Sequence, residues 1–218
     1  MSTVALIDYG SGNLRSVERA VVEAARRAGA SHDIRAGADP DFIALADRIV
    51  LPGVGAFAAC LDALRARDGV IEAMTASVRR GAPFLGVCVG MQLLATRGLE
   101  FGDHAGLGWI DGEVRPLDPA DPRLKVPQMG WNGVSPTLVD GRGAHSLFEG
   151  VEGPTDLYFA NSFAFHPADP GAVIATVDHG GVFAAAVARD NVAGVQFHPE
   201  KSQAAGLALI GRFLAWAP

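Results

Sequence analysis

The sequence predicts an α/β protein: a mostly parallel sheet with helices on both faces and an antiparallel C-terminal portion. Three observations predict it. Up to about residue 105, short β-rich apolar runs alternate with amphipathic helical segments, the order that builds parallel sheets. Beyond that point, short apolar runs are separated by Gly, Asp, Asn and Pro, the texture of hairpins and antiparallel pairing. Across the 218 residues no repeat, low-complexity tract or linker divides the chain, so 1–218 reads as one domain.

The elements follow in order. "VALIDYG" (4–10) is a strand; after Gly12 a helix carries Leu14, Val17, Val21, Ala24, Ala25 and Ala28 on one face. "RIVLPG" (48–53) is a second strand ending in a glycine-rich turn, with helices predicted near 57–67 and 70–80. "PFLGV" (83–87) is a third strand, and "VGMQLL" leads out of it as a helix. The later strands fall in "GWIDGEV", "GWNGVSP", "DLYFANSFAF", "AVIATVDHGG" and "VFAAAVARDNVAGVQF", and a closing helix near 203–216 carries Leu207, Ile210 and Leu214.

Composition removes several function classes. With 49% hydrophobic and 19% charged residues the chain is neither disordered nor fibrous. A net charge of −6 repels phosphate backbones, and Arg26-Arg27 and Arg79-Arg80 read as solvated helix ends, so no nucleic-acid partner is expected. "MSTVALIDYGSGN" lacks the basic start and apolar run of a signal peptide, and no run of about 18 apolar residues occurs, so no membrane association and a cytoplasmic location are expected. In a reducing compartment Cys60 and Cys88 are free thiols.

The two thiols differ in setting. Cys60 falls with Phe57, Leu61 and Leu64 at helical spacing and reads as core. Cys88 sits in Gly86-Val87-Cys88-Val89-Gly90, the thiol version of a nucleophile elbow, in which a tight strand-to-helix turn lifts a side chain clear of the sheet. A Cβ in place of either glycine would crowd the bend. The following helix aims free N–H groups at Cys88, favouring thiolate, and leaves the Val89 N–H to hold an oxyanion.

A nucleophilic thiol needs a base. His32, His104, His145 and His179 lie in polar, turn-rich surroundings and read as surface residues. His198 instead closes the apolar run "VAGVQF" and opens "HPEKSQ", at a strand end where open α/β sheets place their chemistry. In an extended segment His198 and Glu200 point to the same side, so Glu200 can fix the imidazole tautomer that accepts the Cys88 proton. Zinc would need a third ligand at a spacing this chain does not supply, so no metal is expected. "PGVGAF" (52–57) lacks the Gly-Lys-Ser/Thr of a phosphate loop. Gly53 and Gly55 instead let main chain approach a substrate, with a second oxyanion N–H from Val54 or Gly55.

Gly-x-Cys-x-Gly-Met-Gln at 86–92 with His-Pro-Glu at 198–200 resembles the class I (triad) glutamine amidotransferases, a flavodoxin-like fold. "PGVGAF", "KVPQMGWN" (125–132) and "GVQFHPEKSQ" (194–203) narrow the likeness to the branch that serves a (β/α)₈-barrel cyclase subunit. The resemblance covers nearly the whole chain. It implies hydrolysis of glutamine to glutamate and ammonia, with Cys88 as nucleophile, His198 as base, Glu200 as orienter and no metal or organic cofactor. Gln92, Glu100, Ser162 and the Gly53–Gly55 backbone are implied around the glutamine. The implied partner is the cyclase subunit, in a heterodimer, docking on a surface that includes Met129 and Trp131. One departure stands in "YFANSF" (158–163), where Asn161 and Phe163 occupy positions that are His and Tyr in the family pattern.

Overall fold

A computed structural model describes residues 2–139 and 143–218. It opens with β1 (Ser2–Ile7), α1 (Leu14–Arg27), β2 (His32–Gly37), α2 (Pro40–Leu45), β3 (Arg48–Gly53), α3 (Phe57–Arg65), α4 (Val70–Arg79) and β4 (Phe84–Cys88). A short helix, α5 (Val89–Gln92), follows directly. Then come β5 (Arg97–Gly98), β6 (His104–Ala105), β7 (Gly112–Pro116), β8 (Gln128–Pro136), β9 (Leu138–Val139), β10 (Gly143–Ala144), β11 (Thr155–Asn161) and β12 (Phe163–Pro167). The chain continues through β13 (Val173–Asp178), β14 (Val182–Arg189), β15 (Val192–Val195), a 3₁₀ turn (Pro199–Lys201) and α6 (Gln203–Ala215).

Nine strands form one sheet in the order β11-β8-β13-β14-β15-β4-β3-β1-β2. From β2 to β15 every pairing is parallel, and from β15 to β11 every pairing is antiparallel. β15 is therefore the seam between the two regimes. A second sheet of four short strands runs β12-β7-β5-β6. β4 is buried at all five residues and β15 at all four, as strands covered on both faces must be. α1 packs with α6, and α2 and α3 pack with α4, so the helices fall into two groups.

The parallel half explains where chemistry can sit. β3 and β4 lie side by side with Gly53 in register with Cys88, so both chains leave the sheet at the same carboxyl edge. Cys60 is core as expected, 1% exposed, but its thiol also donates to the Val54 carbonyl at 3.2 Å.

In its elements and packing the structure departs from the sequence-based expectation at several points. β2 and α2 had no counterpart in the reading. β2 is an edge strand with no fully buried residue, so it shows no apolar alternation. α5 stops after four residues; Leu93, Leu94 and Ala95 are fully buried in turn and bend conformation, their apolarity reflecting burial, not helix. On α6 the inner face is Gly206, Leu209, Ile210, Phe213 and Leu214, with Leu207 only partly buried. His145 is more than a surface residue: its Nδ1 accepts from the Leu147 N–H and its ring meets Trp216 edge-on.

Candidate active site

The bend at Cys88 is a strained elbow. Cys88 has φ 56 and ψ −112, a region that L side chains rarely occupy, and it ends β4 and starts α5 at once. The two glycines are required by contact. A Cβ on Gly86 would run into the Gly90 backbone, and a Cβ on Gly90 would run into the Leu51 carbonyl of β3. A Cβ on Gly53 would lie 2.8 Å from the Gly90 nitrogen and 2.9 Å from the Tyr9 hydroxyl. Elbow and neighbouring strand are thus locked together through absent side chains. Because α5 is a single turn, the elbow offers Cys88 the free N–H groups of a helix start but not the dipole of a long helix.

His198 and Glu200 meet, but not as an extended pair. His198 has extended dihedrals, then Pro199 opens the 3₁₀ turn that holds Glu200, its fixed φ suiting the first helical position. The turn brings His198 Nδ1 to 2.8 Å from Glu200 Oε1, with both side chains under 5% exposed. A carboxylate only accepts, so Nδ1 carries the hydrogen and Nε2 is left for the sulfur. The turn is pinned from three sides. The His198 N–H donates to Tyr158 O at 2.8 Å, Ser202 Oγ donates to His198 O at 2.6 Å, and the Tyr158 N–H donates to Ser202 Oγ at 3.0 Å. Behind it, a Cβ on Gly206 of α6 would strike the Pro199 carbonyl.

Burial pulls the imidazole pKa down, but hydrogen bonding to Cys88 and Glu200 and the charges of both outweigh it and raise it from 6.5 to about 9. The folded value lies above the unfolded one. His198 therefore contributes stability that is complete below about pH 6.5 and is lost as pH rises through about 9.

Cys88 and His198 open onto a cavity of about 300 Å³ that is also lined by Val54, Gly55, Val89, Gln92, Glu100 and Ser162. Eight of the residues expected from sequence thus share one wall or another of a small-molecule-sized space. Gly53 lies behind the elbow, and Glu200 behind His198. The Phe57 N–H, at the start of α3, donates to Glu100 Oε2 at 2.7 Å and fixes that carboxylate against the cavity. Asn161 and Phe163 also line it: Asn161 Nδ2 donates to Phe163 O at 3.0 Å, so this pair acts through an amide and a main-chain carbonyl. The Asn161 Oδ1 and both polar side-chain atoms of its cross-strand partner Gln128 are buried without a hydrogen-bond partner among the described residues.

The glycine-rich strand is held by side chains that sequence reasoning did not single out. Ser11 Oγ donates to Val54 O at 2.8 Å and lies 3.5 Å from the Val54 nitrogen, which donates to it. Tyr9 Oη donates to Pro52 O at 2.8 Å. The Val54 N–H is thus directed to Ser11 Oγ in this conformation. Gly55 has φ +98, which glycine alone adopts without strain.

Lys201, Ala160 and Gln196 were also missed. Lys201 and Ala160 line the cavity, and Lys201 Nζ stands 5.6 Å over the Tyr158 ring. Met129 and Trp131 are 69% and 48% exposed and pair across the sheet with Ala160 and Tyr158. Ala160, opposite Met129, lines the cavity, so Met129 lies on the strand beside it.

A cysteine elbow facing a buried His–Glu pair at the carboxyl edge of this sheet defines a class of protein, the class I amidotransferases. Accordingly, the family described as "Glutamine amidotransferase class-I" matches residues 5–215. Among solved structures the fold is similar to PurLQS from Thermotoga maritima (TM-score 0.71, 18% identity, 98% of each chain). It is also similar to a chain described as a glutamine amidotransferase (TM-score 0.70, 18% identity, 97% of each chain). Sequence relatives are far nearer. The imidazole glycerol phosphate synthase subunit HisH of Caulobacter vibrioides is 61% identical over 100% of both chains, and that of Rhodospirillum rubrum is 53% identical over 99% of both. The chain belongs to the family of imidazole glycerol phosphate synthase HisH subunits, within the class-I glutamine amidotransferases.

Proposed function

We propose that this chain is the glutaminase subunit of an imidazole glycerol phosphate synthase, hydrolysing glutamine to glutamate and ammonia for a (β/α)₈-barrel cyclase subunit in cytoplasmic histidine biosynthesis. The observation that carries the chemistry is the His198–Glu200 bond behind an elbow cysteine in one cavity. The Cys88 thiolate attacks the side-chain amide carbon of glutamine, and the oxyanion formed is held by the Val89 N–H and a donor from the 53–55 strand. The His198 imidazolium gives its proton to the departing nitrogen, ammonia leaves, and a γ-glutamyl thioester remains on the sulfur. Neutral His198 then takes a proton from water, hydroxide adds to the thioester, and collapse expels thiolate and glutamate. Glu100 and Ser162 face the space where the amino-acid end of glutamine fits, and Met129, Trp131 and Lys201 form the docking face for the cyclase.

Two measurements test this reading. Glutamine hydrolysis is expected to be slow in the isolated chain and about 10²–10³-fold faster with the cyclase bound, the cost of one missing oxyanion donor. That donor is the Val54 N–H, which here bonds to Ser11 Oγ. Equal rates with and without the cyclase refute the gate. In the complex, hydrolysis is expected to hold level through neutral pH and fall above about pH 9, where His198 loses the proton that expels ammonia. A profile already falling near neutrality would show that the imidazole is not held charged.

A further inference from the structure

Gln196 is a fully buried polar residue in the apolar run leading from β15 to His198, with no solvent exposure. A buried amide must find partners, and the partners it finds form a directed chain. The Phe163 carbonyl can only accept, so the Gln92 side-chain atom 3.1 Å from it is Nε2. The same Nε2 donates at 2.9 Å to Gln196, whose receiving atom is therefore Oε1. The remaining end of the Gln196 amide is then Nε2, an N–H donor, and it lies 3.7 Å from Cys88 Sγ, within reach of sulfur. One main-chain carbonyl thus sets the direction of three bonds and points an N–H at the nucleophile.

We propose that Gln196 is a thiolate-holding residue of the glutaminase reaction, donating a hydrogen bond to Cys88 Sγ in an orientation fixed by Gln92 and the Phe163 carbonyl. This rests on Cys88 being the nucleophile, as proposed above. Sulfur accepts a hydrogen bond far better as thiolate than as thiol or thioester. The bond therefore favours the attacking form before acylation and the departing form when the thioester is cleaved. Gln196 does not line the cavity, so glutamine binding is not its work.

The test uses the assembled synthase with Gln196→Met, which keeps volume but removes the donor, and Gln196→Asn, which keeps an amide one methylene too short to span Gln92 and Cys88. Both are expected to lower the glutamine-dependent kcat roughly 10- to 100-fold, the range for a hydrogen bond to a charged group. KM for glutamine should stay within about twofold, as expected of a group that does not touch substrate. Alkylation of Cys88 by iodoacetamide, which needs no glutamine site, should slow in parallel, and synthesis from added ammonium should be unchanged. A kcat and an alkylation rate both within about twofold of the parent overturn the proposal, as does an effect confined to KM. Loss of ammonium-dependent synthesis in both variants also overturns it, because Gln196 would then be a core residue only. Cys88→Ala tests the underlying reading separately: glutamine-dependent activity surviving there removes the nucleophile, whatever Gln196 does.

Discussion

Cys88→Ala in the complex is expected to abolish glutamine-dependent synthesis, by on the order of 10⁴–10⁶-fold, while synthesis from added ammonium continues. The elbow, held at φ 56 between Gly86 and Gly90, delivers Cys88 to the cavity beside His198, and the other thiol, Cys60, donates to the Val54 carbonyl. Cys88→Ser is expected to be nearly as inactive, since a hydroxyl gives up its proton to imidazole far less readily than a thiol. Paired assays with glutamine and with ammonium decide it. An alanine variant that kept most of its glutamine-dependent rate would show that another group attacks the amide.

His198→Ala is expected to cost almost as much, and Glu200→Gln clearly less, with about ten- to a hundredfold more residual rate. In the proposed mechanism His198 takes and gives the proton, whereas Glu200 holds the Nδ1–H and supports the charge. A glutamine there still offers an oxygen to Nδ1, 2.8 Å away in the parent, but no charge. The loss of charge also removes one of the causes that raise His198 to about 9, so the alkaline limb of the rate profile should move to lower pH in Glu200→Gln. Measured kcat values for the two variants, each with its pH profile, check both statements. Equal loss in both, with no movement of the limb, would mean that Glu200 does more than orient.

Much of this was legible in the sequence because the residues concerned are constrained by main-chain geometry. Gly86, Gly90 and Gly53 mark places where a side chain cannot fit, and glycine is the one residue that announces such a place. β3 and β4 announced themselves as continuous apolar runs because both faces are covered. What stayed hidden depends on partners far away in sequence. β2 carries Asp33 and Arg35 at a sheet edge and looks like loop; α2 is six residues long, although Asp39 capping its start before Pro40 was a usable signal. Gln196 was one polar letter in an apolar run, and that mismatch was the clue. Ser11 and Ser202 had none, since their importance lies in which carbonyls and amides the fold brings to them.

The seam strand has a consequence for how the enzyme comes into being. β4, which carries Cys88, the proposed nucleophile, is completed on one side by β3 and on the other by β15, with Val192 opposite Phe84 and Val195 opposite Val87. His198, the proposed base, follows three residues after β15, and its turn is backed by α6. Cys88 and His198 are therefore about 110 residues apart in synthesis order. At ribosomal speeds of about 5–20 residues per second, the thiol exists for roughly 5–20 s before its imidazole is made. During that interval the β4 edge lacks the partner that covers it, the kind of open edge that invites chaperones or aggregation. A nascent chain that already carries the Cys88 elbow is therefore still without His198, and on the proposed mechanism it cannot hydrolyse glutamine until the segment after β15 has been made.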